Sequence, residues 1–361
     1  GGIDNWELAK RTFEHNLDLP CLLSDLKETR VGEIENFFEI SADEIDVIVG
    51  GPPCQGFSTV GKRNIDDPRN RLWHHYRDLV EKIRPYYIVI ENVEGMIVDN
   101  DGVVKDNVVR AFNEIGYHMK ARVMKSAKYG VPQFRKRSIF LGWLEGVSEV
   151  KYPEPTHQEP DYVTVEEAIF DLPELGPGEK AEEYVREPQT EYQANRRKGV
   201  DQLRNHEAAN HSDKLVERMS HVSDGGNRTE IPDELQPRSG YHNSYSRLAS
   251  WKPAVAVTSN MRKPSSARCT HPKQDRGLTV REGLRLQTFD DDFVPLGRRT
   301  QQYDLVGNAV PPFLAEAIGK EVVKAFQSNS QGDLRQARSK PSAPTSEREP
   351  AGTQGTLSFP E

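Results

Sequence analysis

The residues best suited to chemistry lie in one short segment, residues 51–58, which reads Gly-Pro-Pro-Cys-Gln-Gly-Phe-Ser. Its thiol, Cys54, follows a rigid Pro-Pro pair that comes directly after an apolar run at residues 46–50. Glycines on both sides allow a sharp turn and a close approach to a ligand. The segment predicts a stiff loop at the carboxyl end of a strand, where open α/β sheets bind ligands. We interpret Cys54 as a nucleophile rather than an inert structural cysteine.

A carboxyl group follows the next strand-like run. Glu91 and Asn92 come directly after the apolar residues 86–90. Because the carboxyl ends of parallel strands meet at one edge of a sheet, Glu91 could reach the same ligand as Cys54. A partly desolvated carboxyl group there could hold a proton and donate it to a ring nitrogen. The alternative is an ordinary turn or cap, the commoner role of such a pair.

Three polar side chains alternate along a further predicted strand. Gln133, Arg135 and Arg137 fall on one face because successive side chains of a strand point to opposite faces. An arginine is seldom buried without a partner. The three side chains therefore face either a polar ligand or the partners of a salt-bridged edge strand.

Two patterns near the end of the chain are as compatible with structure as with function. Residues 281–287 have ion-pair spacing on a predicted helix. Residues 307–312, Gly-Asn-Ala-Val-Pro-Pro, predict a turn just before a helix that begins near proline. This turn could present backbone groups to a ligand, or it could be a tight connection.

The elements between these motifs predict an α/β fold. Apolar strand-like runs alternate with helical patterns in the first 144 residues, which implies a parallel sheet covered on both faces. Near residue 153 the composition changes, and residues 153–245 predict a separate, loop-rich unit. Residues 313–326 predict a final amphipathic helix. Residues 328–361 are too polar to bury a core and predict disorder.

The composition indicates a reduced, intracellular protein. The chain has 361 residues, a formal net charge of −8 and 3 cysteines, Cys21, Cys54 and Cys269. Their spacing fits neither a disulfide framework nor a zinc site. No apolar run is long enough to span a membrane, and no signal-peptide pattern opens the chain. We expect a cytoplasmic protein, in which a working thiol stays reduced.

The charges are segregated along the chain. Residues 115–144 and 236–274 contain basic but no acidic side chains, whereas acids dominate residues 158–191. Such segregation predicts a cationic groove on an acidic body, and contact with phosphates is its commonest use. Chance clustering on an ordinary surface is the alternative.

In order and spacing these motifs resemble those of the DNA (cytosine-5) methyltransferase family. The resemblance covers about residues 3–327 and is weakest in residues 155–240. It implies that Cys54 is the catalytic nucleophile and Glu91 the acid of a Glu-Asn-Val motif. The other matching positions are Gln133, Arg135 and Arg137 of a Gln-x-Arg-x-Arg motif, Arg281, Glu282 and Gln287 of the segment that closes the recognition region, and Asn308 and Val310 of the last cofactor motif.

The resemblance also implies the architecture. The fold would be an α/β, Rossmann-like sheet of S-adenosylmethionine-dependent methyltransferases with a smaller, inserted target-recognition domain. The catalytic domain would take residues 1–153 and the recognition domain residues 154–245. Residues 246–327 would close the recognition region and return to the catalytic domain, and residues 328–361 would form a disordered tail.

The implied cofactor is S-adenosylmethionine, without a metal. Asp4 is similar to the family's ribose ligand, Asp25 to the acid that meets the adenine amino group, and Leu72 to an apolar wall. The remaining implied cofactor positions are Pro53, Asn308 and Val310. The family's opening strand and glycine-rich turn have no match, because the spacing aligns residues 1–2 with the end of its second strand. A fragment or a mis-set start is therefore expected.

The resemblance implies a mechanism and its partners. A Cys54 thiolate would add to C6 of a flipped-out cytosine, Glu91 would hydrogen-bond N3 and the exocyclic amine, and Arg137 would hold O2. Arg135 would support the loop around the cysteine. The implied partners are double-stranded DNA and, where one exists, a cognate restriction endonuclease. We expect a monomeric, prokaryotic protein that does not bind a membrane.

Three alternatives remain open from the sequence. One branch of the family methylates transfer RNA, although the long insert suits DNA recognition better. A catalytically impaired fragment or DNA-binding relative would fit the unmatched first strand, but not the intact Cys54, Glu91 and Arg137. A cysteine hydrolase would need a histidine base, and His74 and His75 carry no further signature.

Overall fold

The computed structural model describes residues 1–52, 72–237, 244–265 and 269–339. Pro53 and Cys54 lie outside these residues. The strands of the described residues are β1 Gly2–Asp4, β2 Cys21–Leu23, β3 Val47–Gly50, β4 Tyr87–Val93, β5 Tyr117–Lys125, β6 Gln133–Phe134, β7 Lys136–Leu144 and β8 Ala254–Val255. Their α-helices are α1 Glu7–Leu17, α2 Val31–Phe38, α3 Leu72–Ile83, α4 Gly95–Val98, α5 Val103–Asn113, α6 Val165–Ile169, α7 Glu191–Arg196, α8 Asp213–Ser220, α9 Val280–Leu286, α10 Arg299–Asn308, α11 Pro312–Gln327 and α12 Gln331–Ser339.

The central sheet has the strand order β3-β4-β7-β5. Strand β4 is a nearly continuous apolar run with Tyr87, Ile88 and Ile90 fully buried, as expected of a strand covered on both faces. Helix α3 packs one apolar face on the sheet, and its Tyr76 hydroxyl donates to the carbonyl oxygens of Ile48 and Val89 at 3.0 and 3.3 Å. The helix thereby joins β3, which leads to the cysteine loop, to β4, which contains Glu91.

The prediction of a parallel sheet is wrong for one of the four strands of this sheet, β7. Strands β3 and β4 are parallel, but β7 runs antiparallel to both β4 and β5. The connection from β5 to β7 is short and contains no α-helix. A parallel crossover needs a dozen or more residues, so this connection favours an antiparallel neighbour.

Strands β1 and β2 form a separate parallel pair. Residues of β1 and of the edge strand β3 line one cavity of about 530 Å³ between the two sheets. The wall contains apolar side chains such as Ile34, Ile48 and Leu79, together with the acidic side chains of Asp4 and Asp25. The cavity runs along both strands and includes their carboxyl-terminal residues, Asp4 and Gly50, at the edge where ligands bind in α/β folds.

A second apolar cluster is built from residues 165–306. Helices α6, α9 and α10 contribute Val165, Leu284 and Tyr303, all with an exposed fraction of 1% or less. The cluster combines side chains from the predicted recognition domain with side chains from the predicted returning segment. The domain boundaries at residues 154, 246 and 328 stay predictions.

One expectation for residues 307–312 is wrong, whereas the helix expected to begin near proline is confirmed. Gly307 and Asn308 do not form a turn but end helix α10, and the following helix α11 begins at Pro312. Helix α10 lacks clear amphipathic spacing, with only Tyr303 and Val306 buried, so periodicity could not reveal it. A Cβ on Gly307 would lie 2.2 Å from the Ser259 nitrogen, so the helix requires glycine there.

The predicted disorder of residues 328–361 is wrong for helix α12. Its Leu334 and Ala337 are buried in the cluster that surrounds the central sheet. The guanidinium of Arg338 stacks 3.9 Å from the Tyr86 ring centroid. Because only a few side chains anchor this polar segment, its composition does not indicate that it is ordered. Residues 340–361 lie outside the described residues.

Candidate active site

The end of β4 holds the beginning of the cysteine loop. The Asn92 Nδ2 donates to the buried carbonyl oxygen of Pro52 at 2.7 Å, and its Oδ1 accepts from the Val93 nitrogen at 2.9 Å. A Cβ on Gly51 would lie 3.3 Å from the Glu91 Oε2. The glycine therefore allows the backbone that leads to Cys54 to approach the Glu91 carboxyl group closely.

Glu91 forms an ion pair with Arg137. The Glu91 Oε1 lies 2.7 Å from the Arg137 Nε, and both side chains are mostly buried. Burial raises the pKa of Glu91, whereas the nearby Arg137 and Arg135 act to lower it. A buried carboxyl group held by an arginine suits both proton donation and hydrogen bonding to a polar ring. The environment thus agrees with the partly desolvated carboxyl group expected from the sequence.

Gln133 and Arg135 do not face an open site. Both side chains are buried, with exposed fractions of 0% and 1%. Arg135 donates to the carbonyl oxygens of Val257, Gly307 and Ala309 at 2.9, 3.2 and 3.0 Å. Burial and the neighbouring charge of Arg137 lower the pKa of Arg135 to about 9. Of the three alternating side chains, Arg137 is the one that meets Glu91.

The charged residues of α9 form tertiary ion pairs, so the predicted pairing along the helix is wrong. Glu282 binds Arg276 at 2.6 Å, and Arg281 lies 3.4 Å from Asp291. Arg285 contacts the carboxylates of Asp171 and Asp291. Gln287 donates to the Val306 carbonyl oxygen at 2.8 Å. These side chains are buried inside the protein and have structural roles.

The implied cofactor residues fall into two groups. Asp4, Asp25 and Leu72 line the cavity between β1 and β3, together with Gly51 and Pro52. The Asp4 Oδ1 accepts from the Trp6 nitrogen at 2.8 Å, and burial raises the pKa of Asp4. Asn308 and Val310 are not among the residues lining that cavity. Pro53 lies outside the described residues.

Sequence reasoning missed the role of Asn92 as the anchor of the cysteine loop. Its position directly after Glu91 was the available signal, but a single asparagine at a strand end is usually a turn residue. Only the packing of β3 beside β4 brings Pro52 within reach of the Asn92 amide.

The basic segment at residues 115–144 does not form a bare cationic groove. Lys120 pairs with Glu149 and Lys136 with Glu94, at 2.5 and 3.0 Å. The guanidinium of Arg122 stacks 4.4 Å from the Tyr152 ring centroid. Acids that are distant in sequence thus neutralise part of a segment that contains none itself.

A model of the C-5 cytosine-specific DNA methylase family matches residues 1–324. The chain belongs to this family. It is thus an S-adenosylmethionine-dependent DNA (cytosine-5) methyltransferase with the methyltransferase fold expected from the sequence.

Type II methyltransferases are similar to this methylase over most of its length. M1.HphI of Haemophilus parahaemolyticus is 42% identical over 288 residues, which cover 79% of this chain and 70% of that protein. M.DdeI of Desulfomicrobium norvegicum is 32% identical over 351 residues, which cover 90% of this chain and 82% of that protein.

Solved structures share the fold at lower identity. A protein described as a candidate DNA modification methyltransferase from an E. coli prophage has a TM-score of 0.72 at 23% identity, covering 90% of this chain and 92% of that one. The methyltransferase EhMeth of Entamoeba histolytica has a TM-score of 0.60 at 16% identity, covering 90% of this chain and 89% of that one.

Two further observations bear on partners. Among the described residues, no group of three or more His, Cys, Asp or Glu side chains could hold a metal ion. The helices in the same part of the methylase are all too short or too polar to cross a membrane.

Proposed function

We propose that this methylase transfers a methyl group to C5 of a flipped-out cytosine through a covalent bond between Cys54 and C6. The observation that carries the proposal is the buried Glu91–Arg137 pair, at 2.7 Å, beside the backbone that leads into Cys54. A carboxyl group that can hold a proton and a fixed cation thus lie beside the backbone that leads to the nucleophile. This pair suits a polar aromatic ring that has left the duplex.

Each residue has one role in this mechanism. The Cys54 thiolate attacks C6 to form a C–S bond, and the electrons of the C5–C6 double bond make C5 nucleophilic. Glu91 stabilises the developing charge by hydrogen-bonding N3 and the exocyclic amine, and Arg137 binds O2. After C5 has gained the methyl group, a water molecule takes the C5 proton, the electrons of the C5–H bond restore the double bond, and Cys54 leaves as a thiolate with the electrons of the C–S bond.

The cavity between β1 and β3 fits S-adenosylmethionine. The cavity has a volume of about 530 Å³. Its walls are apolar, and the carboxyl groups of Asp4 and Asp25 lie at the ends of two parallel strands. Asp4 would accept from the ribose hydroxyls, Asp25 would meet the adenine amino group, and Leu72 would cover the ring. When bound, the cofactor supplies an electrophilic methyl group. Cofactor contacts from Pro53, Asn308 and Val310 stay predictions.

The DNA partner would be read by the loop-rich region. Residues 154–245 offer polar side chains that could contact base edges in the major groove, with residues 246–327 closing that region. The names of the type II relatives suggest that a cognate restriction endonuclease recognises the same DNA sequence.

The decisive experiment measures 5-methylcytosine by mass spectrometry. Mixed-sequence duplex DNA is incubated with S-adenosylmethionine and either the wild-type chain, Cys54→Ala or Cys54→Ser, and transfer RNA is treated in parallel. We expect product in DNA with the wild type and none with either variant. Normal methylation by Cys54→Ala would overturn the covalent mechanism, and product in transfer RNA alone would overturn the DNA substrate.

A duplex that contains 5-fluorocytosine tests the bond itself. Fluorine at C5 cannot leave as a cation, so the C–S bond should persist after methyl transfer. We expect a denaturation-resistant protein–DNA species whose mass equals the sum of both components plus a methyl group. Its absence from a preparation that methylates ordinary DNA would exclude the adduct.

A further inference from the structure

We propose that Gln133 is a positioning residue that couples the recognition side of the methylase to the Glu91–Arg137 pair. The proposal rests on the function proposed above, because it concerns the same site. It starts from a polar side chain that is fully buried and whose hydrogen bonds go to Val257, Leu286 and Gln287.

The amide of Gln133 joins segments that are distant in sequence. Its Nε2 donates to the Leu286 carbonyl oxygen and to the Gln287 Oε1, both at 2.8 Å. Its Oε1 accepts from the Val257 nitrogen at 3.0 Å. A buried amide with these three hydrogen bonds is satisfied only when both segments are docked.

Arg135, the next position on that face, binds one of the same segments, at Val257. It donates to the Val257 carbonyl oxygen at 2.9 Å, so Gln133 and Arg135 hold the two polar groups of a single residue. It also donates to the carbonyl oxygens of Gly307 and Ala309. Gln287 in turn donates to the Val306 carbonyl oxygen at 2.8 Å. We call Gln133, Arg135 and Gln287 the buried clasp.

The clasp is placed where the chain passes from one sheet to another. Strand β6, which contains Gln133, pairs with β8 at Ala254 and Val255. Strand β7 begins directly afterwards, and its Arg137 pairs with Val93 of the central sheet. Arg135 lies between the two strands. A shift of the recognition-side segments therefore moves β6 and is passed on to the start of β7, where Arg137 binds Glu91.

Gln133→Leu tests the coupling, because leucine fills the space but leaves the buried Val257 N–H and Leu286 carbonyl unpaired. We expect kcat to fall by about 100-fold, the cost of a misplacement near 1 Å, while KM for DNA stays near the wild-type value. The control is Asn329→Leu, a partly buried amide outside the recognition region whose side chain hydrogen-bonds to the Tyr87 hydroxyl at 3.0 Å and to the Ser148 nitrogen at 2.7 Å. Its kcat per folded molecule should be that of the wild type.

A double-mutant cycle with Arg137→Ala separates positioning from a merely structural role. If Gln133 acts through Arg137, adding Gln133→Leu to Arg137→Ala should change kcat by no more than about twofold. Equal effects of Gln133→Leu in both backgrounds would overturn the inference. Loss of folded protein without loss of kcat per folded molecule would overturn it as well. If Gln133→Leu does not fold, Gln287→Met removes the other half of the contact and is judged by the same criteria.

The failure of this inference is distinguishable from the failure of the proposed function. A wild-type chain without methylation, or an Arg137→Ala variant with normal kcat, would contradict the function. If Arg137→Ala lowers kcat but the effects of Gln133→Leu and Arg137→Ala on kcat are additive, only the coupling is contradicted.

Discussion

At Glu91, opposing influences act on a single carboxyl group. Burial favours the protonated form, while Arg137 at 2.7 Å favours the charged form. A carboxyl group balanced in this way can exchange a proton at little cost, as general acid–base catalysis requires. The neighbouring Gly51 keeps side-chain atoms away from this carboxyl group, because a Cβ at that position would lie 3.3 Å from the Glu91 Oε2.

Replacing Glu91 by Gln removes the exchangeable proton but keeps the size of the side chain. We expect the initial rate of 5-methylcytosine formation by Glu91→Gln to fall by roughly 10²–10⁴-fold, the usual contribution of a general acid. Glu94→Gln is the matched control, because Glu94 is a nearby acid in a half-exposed pair with Lys136 at 3.0 Å. The control should keep the wild-type rate, and a similar loss in both variants would argue against a special role for Glu91.

The same carboxyl group predicts a pH dependence of stability. Because the pKa of Glu91 is raised in the folded protein, the folded state holds this proton more tightly than the unfolded chain does. The contribution of the protonated Glu91 to the free energy of unfolding is fully present below the unfolded-state pKa of about 4.3. It is lost as pH rises through the folded-state pKa. Urea unfolding should therefore show the wild type weakening relative to Glu91→Gln above about pH 4.3. A difference that is constant with pH would refute the expectation.

Strand β4 positions both halves of the candidate site as one element. Glu91 and Asn92 are adjacent, so the strand that presents the carboxyl group also anchors the cysteine loop through the Pro52 carbonyl oxygen. We expect Asn92→Ala to leave this buried carbonyl unpaired, at a cost of about 1–3 kcal/mol in the free energy of unfolding. The rate of methyl transfer in a single turnover should fall with it.

The control for Asn92→Ala is Asn107→Ala on the exposed face of α5, where the Asn107 Oδ1 accepts from Arg110. It should change neither unfolding nor methyl transfer. Wild-type single-turnover rates in Asn92→Ala would mean that the loop keeps its position without this hydrogen bond.

Helix α12 is an element that stabilises the sheet from outside the site. Leu334 has an exposed fraction of 3% and packs in the cluster around the central sheet. We expect Leu334→Ala to lower the free energy of unfolding by about 2–5 kcal/mol, measured in urea. Arg335→Ala, at an exposed position of the same helix, should have little effect. Equal stability of the two variants would show that α12 does not contribute to the core.

The sequence predicted elements with strong apolar patterns and missed those held by a few contacts. Helix α11 covers the predicted residues 313–326 because its buried residues recur every three to four positions. Neither α10 nor α12 could be predicted, since each rests on two or three buried side chains in a polar segment. Strand β7 is antiparallel because the connection from β5 is short, and the hydrophobic periodicity of the sequence does not reveal strand direction.

The site was predicted in composition but not in arrangement. Spacing identified Glu91 and Arg137 as candidates, and the fold pairs them. The same alternation placed Gln133 and Arg135 beside Arg137, yet these two side chains bind carbonyl groups and amides that are more than 100 residues away. Contacts of that kind depend on how the recognition side folds back onto the sheet, which no local pattern contains.

At the scale of the whole molecule, buried ion pairs hold the recognition side together. Arg285 binds Asp171 at 3.1 Å and Asp291 at 2.6 Å, and all three side chains are fully buried. Their attraction offsets the cost of removing three charges from water only while all partners are present. Asp171 and Arg285 are far apart in sequence, so the network closes the loop-rich region onto α9.

Replacing Arg285 by Met should expose this dependence, because it removes the nearest cation from two buried carboxylates and leaves the longer contacts of Asp291 with Arg281 at 3.4 Å and of Asp171 with Arg197 at 3.5 Å. We expect a loss of about 3–5 kcal/mol in the free energy of unfolding at pH 7, measured in urea. Lys320→Met, which removes an exposed cation paired with Glu316, should cause little change. Arg285 lowers the pKa of Asp291, so this stability is present above the unfolded-state value of about 3.9 and is lost on acidification. The gap between wild type and Arg285→Met should therefore narrow as pH falls below about 4, and a gap that stayed constant would mean that packing rather than charge closes the region.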